Sequence, residues 1–358
     1  MNTTTKTTGS LEAAKKHIPF VALTASDLLK GSSPLPDYLL SPWLREGQNA
    51  MVYADTGVGK TWFALTLAWV LAGGGEIAGW RTDKPRRVLY VDGEMPTWSL
   101  EERIKVIAEG YRDTIYPPVA AANILFVPRL AQKTTKGTKA PVWVDLASDA
   151  GQKLIAEMIE EARPDVVIFD NFTTLTDSLK DENDATAFKA AIGNLLGAKA
   201  QGVTTILIHH SNKGGNSYRG SSAIAATFDA IVHLKKPKDA KVYEADFSVV
   251  FEKNRNRGDA SVQQNRWSLG ESGQWAVTVD EDAKLAEIVE GLRSGKHSTQ
   301  RELGLALDLK DYQVTRLIKR AEASGLLKRG EAKTLLEAAK DGTEEETVVK
   351  RLKGASDF

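Results

Sequence analysis

Short apolar runs alternate with segments of helical periodicity through the middle of the chain. Apolar runs of four to six residues are each followed by a segment whose apolar residues recur every three or four positions. This alternation indicates βαβ units around a parallel sheet whose strands are covered on both faces. The predicted strands are 49–53, 87–91, 124–127, 166–170 and 204–209, and the predicted helices are 62–71, 100–109, 151–162 and 184–198.

The pattern changes on either side of this region. The strands predicted over 230–234, 247–253, 266–269 and 275–279 extend the sheet as an antiparallel edge. We therefore predict a large α/β domain over 48–280 and a small helical domain over 281–330. The remaining segments are a disordered start (1–19), an extended arm with three prolines (20–47) and a charged, frayed tail (331–358).

Composition narrows the classes of function. Basic and acidic side chains number 47 each in 358 residues, so the formal net charge is zero, and any nucleic-acid site must be a local patch or a channel lining. The sequence has no cysteine, which excludes disulfides and thiolate metal sites. No apolar run approaches the roughly 18 residues that span a bilayer, so we expect a cytoplasmic protein without membrane contact.

A phosphate-binding loop follows the first predicted strand and opens a helix. Gly57 and Gly59 let backbone N–H groups turn toward a β-phosphate, and the helix adds the positive end of its dipole. Lys60 is expected to reach the β- and γ-phosphates of ATP, and the Thr61 hydroxyl to hold Mg²⁺. The loop consists of Ala54, Asp55, Thr56, Gly57, Val58, Gly59, Lys60 and Thr61. Ala54 replaces the usual first glycine, which is tolerable where φ is negative.

Two acids follow later strands, at the edge where the phosphate loop is expected. Asp170 ends the run 166–170 and is predicted to hold Mg²⁺ through water. Glu94 follows the run 87–91 and is predicted to orient the attacking water as a general base. The alternative for each is structural: Asp is common in turns after strands, and Glu94 in this position can serve as a helix cap alone.

Two histidines close the strand predicted over 204–209. A polar side chain at this position can contact the γ-phosphate and pass its presence to the following loop, and we predict this sensor role for His210. The alternative is a structural histidine. No third ligand is spaced for zinc.

The order of these pieces resembles the RecA-like ATPases, and among them the hexameric replicative helicases. It looks most like the RepA helicases of broad-host-range plasmids and their phage relatives, and more distantly like DnaB. The resemblance covers roughly residues 20–280 and rests on the phosphate loop, Glu94 and four later segments: 206–213, 218–224, 229–232 and 253–257. It implies a homo-oligomer, with a hexamer as the expected form, that acts on single-stranded DNA. The amino-terminal helical domain of DnaB-type proteins is missing, so the arm is expected to link subunits instead.

The segment 253–257 is similar to the Lys-x-Arg pair by which one subunit of that family reaches its neighbour's nucleotide. Lys253 and Arg255 are two residues apart on a predicted strand, so both side chains share a face. Two cations on one face are costly unless an anion lies opposite, and a γ-phosphate across a subunit boundary would supply it. The alternative is a solvated strand edge, where cations are frequent.

Two loops are candidates for a DNA channel, residues 173–184 and 211–222. The second contains Lys213, Arg219, glycines and a tyrosine, a composition that suits gripping a phosphate backbone without reading bases. An ordinary mobile surface loop has a similar composition.

Residues 283–330 are predicted to form a winged helix-turn-helix. The helices are 283–292, 299–307 with Ser298 as N-cap, and 312–323. Seven cations against four acids between residues 297 and 330 give a net charge of +3. The predicted DNA contacts on the third helix are Gln313, Arg316, Lys319 and Arg320. Such folds bind duplex DNA or a protein partner, and the sequence leaves both open.

These observations together predict a ring-forming ATP hydrolase, a DNA helicase or translocase in plasmid, phage or mobile-element replication. Two alternatives remain: a RecA-like recombinase or recombination mediator that forms filaments, and an ATP-switched DNA-binding regulator that works through the winged helix.

Overall fold

A computed structural model describes residues 11, 15, 18–31, 33–132, 143–176, 178–179, 191–212, 217–218, 225–237, 245–256, 258–279 and 281–340. The chain divides into two compact units, Met1–Asp37 and Tyr38–Phe358.

In the first unit, a short helix with described bounds is α1 (Ala25–Lys30). Thr24 caps it, since the Thr24 Oγ1 accepts from the Asp27 N–H at 3.2 Å and the Asp27 carboxylate accepts from the Thr24 N–H at 2.8 Å. Lys15 forms an ion pair with Asp27 at 2.6 Å. No residue of α1 is buried, and Leu29 is 89% exposed.

A nine-stranded sheet of described residues organises the second unit. Its strands are β3 (Asn49–Ala54), β6 (Val88–Asp92), β7 (Ile124–Pro128), β8 (Val166–Asp170), β9 (Thr204–His210), β10 (Ala230–Lys235), β11 (Asp246–Asn254), β12 (Asn265–Leu269) and β13 (Trp275–Val279). They lie in the order β13-β12-β11-β10-β3-β9-β8-β6-β7. The six strands from β10 to β7 are parallel, and β11, β12 and β13 continue the sheet antiparallel. The predicted α/β fold class, with its mostly parallel sheet and antiparallel edge, is confirmed.

Helices cover both faces of this sheet. They are α2 (Lys60–Gly73), α3 (Thr97–Gly110), α4 (Pro117–Ala122), α5 (Asp149–Ala162) and α6 (Gly193–Ala200). Alternate residues of β3 point to opposite faces, so Val52 joins the core around α2 while Met51 joins the core against α5 and α6. Of the helix predicted over 184–198, residues 184–190 lie outside the described part.

The prediction of an extended arm over 20–47 is wrong for the second half of that range. Residues Tyr38–Leu40 and Leu44–Arg45 pair as strands β1 and β2, and Leu39, Leu40, Trp43 and Leu44 are fully buried. Trp43 packs edge-on against Trp80, with 5.2 Å between ring centroids. Trp80 lies on an unpredicted hairpin, β4 (Glu76–Ile77) and β5 (Trp80–Arg81). Burial of large apolar side chains thus overrides the loop-like prolines of this segment.

The carboxy-terminal unit, here residues 281–340 within the second compact unit, is helical as predicted, but no wing occurs among these residues. Helices α7 (Glu281–Arg293), α8 (Gln300–Ala306) and α9 (Asp311–Ala323) share one apolar cluster. No strand occurs within 281–340; after Gly325 the chain forms another helix, over 331–340. Ala332 and Leu336 of that helix join the cluster, so apolar burial also overturns the prediction of a frayed tail for this segment. Across the described ranges, no helix combines the length and apolar character needed to cross a membrane.

Candidate nucleotide site

The phosphate loop has the backbone geometry that its sequence predicts. Ala54 lies in β3, where an L residue is unstrained, and α2 begins at Lys60. Gly57 has φ +79° and Gly59 has φ +112°, which disfavour any residue with a side chain. A Cβ on Gly59 would also lie 2.6 Å from the Ala245 Cβ. These two glycines are therefore required, whereas the replacement at Ala54 is tolerated.

Lys60 is buried at the base of this loop. Its Nζ donates to the carbonyl oxygens of Ala54 at 3.0 Å and Asp55 at 2.9 Å. The same Nζ lies 3.2 Å from the Nδ1 of His210. The ammonium group is thus held beside the loop by weak backbone acceptors, which a phosphate oxygen can replace.

Asp170 lies beside Thr61, and both supply oxygen atoms. Asp170 ends β8, is 2% exposed, and accepts hydrogen bonds from the Tyr90 hydroxyl at 2.7 Å and from Thr61. Burial raises the pKa of Asp170, and these two hydrogen bonds oppose the rise. A carboxylate and a hydroxyl are hard oxygen donors, so this pair fits Mg²⁺.

Glu94 lies directly after β6, which neighbours β8. The Asn171 amide donates to its carboxylate at 2.6 Å, and the Glu94 residue is solvent-exposed. The Gly93 N–H donates to the Asp170 carbonyl oxygen at 2.8 Å, and a Cβ on Gly93 would collide with Thr174. The turn that presents Glu94 is therefore tied to the strand that carries Asp170.

Asp92 is a buried acid at the end of β6. Its Oδ2 accepts from the Met95 N–H at 2.9 Å, and its buried Oδ1 has no partner. Burial raises the pKa of Asp92 to about 7, with the charge of Asp170 adding to the effect. The carboxyl group thus supports the turn before Glu94.

A pocket of about 280 Å³ lies over these groups. Its walls include Lys60, Thr61, Glu94, Asn171 and His210. Trp62 and Arg103 also line it, and the Arg103 guanidinium lies 5.0 Å from the Trp62 ring centroid. Sequence reasoning missed both residues because each lies within a helix and belongs to no motif.

The structure distinguishes the two histidines at the end of β9. His209 is fully buried and packs edge-on against Phe172 at 5.0 Å, whereas His210 lines the pocket. The next residue, Ser211, donates its N–H to the Ala54 carbonyl oxygen at 3.0 Å and its hydroxyl to the Asp55 carboxylate. The end of β9 is therefore bonded to the phosphate loop itself.

Most of the predicted DNA loops lies outside the described residues. This includes Lys213, Arg219 and residues 180–184, so those predictions remain untested. Tyr218 is described: it is buried and packs edge-on against Tyr53 of β3 at 5.5 Å.

Lys253 and Arg255 lie at the other edge of the sheet. Because β11 runs antiparallel to β10, its end pairs with the start of β10, Ala230 with Asn254. β11 ends at Asn254, so Arg255 lies just beyond the strand rather than within it. Lys253 donates to the Ala225 carbonyl oxygen at 2.6 Å, and Arg255 pairs with Asp229 at 3.0 Å. Both cations thus contact the segment before β10.

Asp229 is the centre of that edge. It is 3% exposed, and it binds Lys199 at 2.5 Å and the Asn49 N–H at 2.9 Å besides Arg255. Burial alone would raise the pKa of Asp229, but the hydrogen bonds from Lys199 and Asn49 and the nearby charges lower it overall.

Comparison with known protein families decides the family. A family model described as an AAA domain, AAA_25, matches residues 14–216, more than half of the chain. The chain belongs to the AAA_25 family. The phosphate loop, Glu94, Asp170 and His210 all lie within the matched region.

Solved structures with the RecA-like arrangement resemble this AAA_25 chain at low identity. A KaiC-like protein of Pyrococcus horikoshii OT3 is 18% identical, with a TM-score of 0.46 over 68% of this chain and 96% of that one. The flagellar accessory protein FlaH of Methanocaldococcus jannaschii is 14% identical, with a TM-score of 0.45 over 72% and 97%. The RadB recombinase is 18% identical, with a TM-score of 0.43 over 64% and 90%. Among curated proteins no match was found.

Proposed function

We propose that this protein is an ATP-driven motor that assembles as a ring and moves along single-stranded DNA as a helicase or translocase. The observation that carries the hydrolytic part is the convergence of Lys60, Thr61, Asp170 and Glu94 on one pocket at the carboxyl edge of the parallel strands.

Each of these groups has a chemical task in phosphoryl transfer. Lys60 exchanges its carbonyl acceptors for phosphate oxygens, and Glu94, held by Asn171, orients and polarises the attacking water. Thr61 and Asp170 would hold Mg²⁺, which would supply neutralising positive charge at the phosphates. His210, within 3.2 Å of Lys60, reports whether the γ-phosphate is present.

The position of Arg255 supports assembly of several copies. Arg255 lies near Asn49 at the start of β3, whereas the phosphate loop starts from Ala54 at the end of β3. About 17 Å of strand therefore separates Arg255 from the phosphate loop. Arg255 therefore cannot reach the nucleotide of its own chain. If it stabilises the transferring phosphoryl group, it does so at the site of a neighbouring copy.

The contacts of Ser211 and Tyr218 support action on DNA. Ser211 is bonded to Asp55 and Ala54 of the phosphate loop, and Tyr218 packs on Tyr53 just before that loop. The two described ends of the segment that contains Lys213 are thus bonded to the phosphate loop or packed on the strand before it. We assign the grip on single-stranded DNA to this segment.

A mixing experiment tests the proposal. Arg255→Ala should lower turnover by about 10³-fold or more while nucleotide binding persists, and Lys60→Ala should have no turnover. A mixture of the two should recover activity, because an intact Lys60 site then meets an intact Arg255 from the other chain. Arg112→Ala is the matched control, because Arg112 is an exposed arginine of the same α/β domain. Its ATPase turnover should equal that of wild type.

The measurement is steady-state ATPase with and without a single-stranded oligonucleotide, followed by unwinding of a forked duplex. A mixture with no more ATPase activity than the separate variants would contradict the shared site. Strand exchange without unwinding would instead identify a recombinase.

A further inference from the structure

The carboxy-terminal unit contains two helices joined by a tight turn. Helices α8 and α9 are separated by residues 307–310, where Asp308 has φ +53° and the Leu309 N–H donates to the Gly304 carbonyl oxygen at 2.8 Å. A Cβ on Gly304 would lie 2.8 Å from the Leu309 oxygen and 3.1 Å from a Val314 methyl group. The close approach therefore needs glycine, and this arrangement is a helix-turn-helix.

The cap of α8 differs from the predicted one. Thr299, rather than Ser298, is the N-cap, and its hydroxyl accepts from the Glu302 N–H at 3.1 Å. Ser298 instead donates to the Glu302 carboxylate at 2.8 Å from its N–H. The two contacts fix the start of α8 in front of α9.

One face of α9 is fixed by packing. Val314, Leu317, Ile318 and Ala321 are buried in a cluster with Leu303 of α8 and with apolar residues of α7. The opposite face is turned to solvent, and Tyr312 is 66% exposed on it. Arg316, Lys319 and Arg320 are exposed on the same face.

The exposed face is cationic without interruption. No acid occurs between Tyr312 and Ala321, whereas three cations do. Gln313 is excluded from this surface, although the sequence predicted it as a contact, because its side-chain Oε1 accepts from the Lys310 N–H at 2.9 Å and caps the helix. We define the α9 face as Tyr312, Arg316, Lys319 and Arg320.

We propose that the carboxy-terminal unit binds double-stranded DNA, with the α9 face in the major groove. A helix about 10–12 Å wide fits a groove about 12 Å wide, and cations along it meet phosphates of the groove walls. Duplex DNA is favoured over a protein partner, because three cations with no acid between Tyr312 and Ala321 form a positive surface that matches a phosphate backbone. This duplex site is separate from the proposed single-strand grip and does not depend on ATP.

Anisotropy of a labelled oligonucleotide tests this. The full-length protein is titrated into a mixed-sequence duplex of about 30 base pairs, and into one of its strands, across a series of salt concentrations. The α9-face variant combines Arg316→Ala, Lys319→Ala and Arg320→Ala. The matched control combines Lys296→Ala, Lys333→Ala and Lys340→Ala, which removes the same charge from exposed positions of the same unit.

The wild type and the control should bind the duplex with similar affinity. The α9-face variant should bind about tenfold more weakly or worse at low salt, and its log–log salt slope should shrink by about 2 to 3. Arg316→Ala alone should reduce that slope by about 1. Thermal unfolding checks that each variant is folded, which is expected because the altered side chains are exposed.

Equal duplex affinity of the α9-face variant and the control would overturn the proposal and leave the face as a protein-docking surface. Lys60→Ala should bind the duplex like wild type. Wild-type protein that hydrolyses no ATP but still binds the duplex through the α9 face would refute the proposed motor and not this inference.

Discussion

The two edges of the central sheet handle charge in opposite ways. At the carboxyl edge, Lys60 donates to backbone carbonyls, Asp170 is buried with a raised pKa, and one oxygen of Asp92 has no partner. At the amino edge, Asp229 is equally buried but is surrounded by Lys199, Arg255 and the Asn49 N–H, and its pKa is lowered. One edge keeps charges poorly compensated, and the other compensates them within the chain.

This difference separates chemistry from architecture. A poorly compensated cluster is poised for a ligand whose charges complete it, here a triphosphate and its metal ion. A compensated cluster stabilises the fold, and a member such as Arg255 changes partner only when a neighbouring copy offers a stronger anion. Changes at the carboxyl edge should therefore alter catalysis, whereas a change at Asp229, the centre of the amino edge, should first alter stability.

The largest effect is expected from Glu94→Gln. Loss of the carboxylate that orients water should lower the ATPase turnover number by about 10²- to 10⁴-fold. The free energy of unfolding should hardly change, since the Glu94 residue is exposed and Gln keeps an acceptor for Asn171. Steady-state ATPase and urea unfolding measure the two quantities.

Glu101→Gln is the control for this change, because Glu101 is an exposed acid of α3. It should leave turnover unchanged. Normal turnover in Glu94→Gln would remove Glu94 from the site and make Asp92 the next candidate.

A smaller effect of the opposite kind is expected from Asp229→Asn. The substitution leaves Lys199 and Arg255 without their shared counter-charge and should lower the free energy of unfolding by about 2 kcal/mol. That is below the value for fully buried pairs, because Arg255 is half-exposed. Nucleotide affinity, measured by calorimetry, should stay within about threefold of wild type.

Asp83→Asn is the control here, since Asp83 pairs with Arg81 at the surface and should matter by less than about 0.5 kcal/mol. Unchanged stability in Asp229→Asn would show that the amino-edge cluster is not a stabilising one.

The smallest effect concerns His233, which stacks on Tyr53 with 4.3 Å between ring centroids. Burial lowers the pKa of His233, which Glu252 opposes. The native state thus resists a proton that the unfolded chain accepts, so the contribution is present above pH 6.5 and is lost as pH falls below it. His233→Phe keeps the stack, and its stability should fall less than that of wild type between pH 7 and 5 in urea unfolding. Parallel pH profiles would contradict this.

The sequence predicted those features whose signals come from residues close together along the chain. The placement of Glu94, Asp170 and His210 at one edge was predictable, because parallel strands bring their carboxyl ends to one edge whatever the details of packing. The phosphate loop was predictable because its glycines and its lysine are adjacent in sequence.

The rest depended on contacts between distant residues. The burial of Trp43 requires Trp80 and Phe251, which no local pattern connects to it. Arg103 enters the pocket only through the way α3 packs, and the cation–acid cluster at Asp229 combines four separate elements. The wrongly predicted wing also depended on distant contacts, since residues 331–340 pack as a helix against the apolar cluster of α7, α8 and α9.

Magnesium-dependent affinity for ATP tests the central claim most directly. Calorimetry with a non-hydrolysable ATP analogue should show binding that is strengthened by Mg²⁺ and lost in Lys60→Ala, while Lys105→Ala, an exposed lysine of α3, binds like wild type. Binding that ignores both Mg²⁺ and Lys60, or no binding at all, would contradict a nucleotide site at the carboxyl edge.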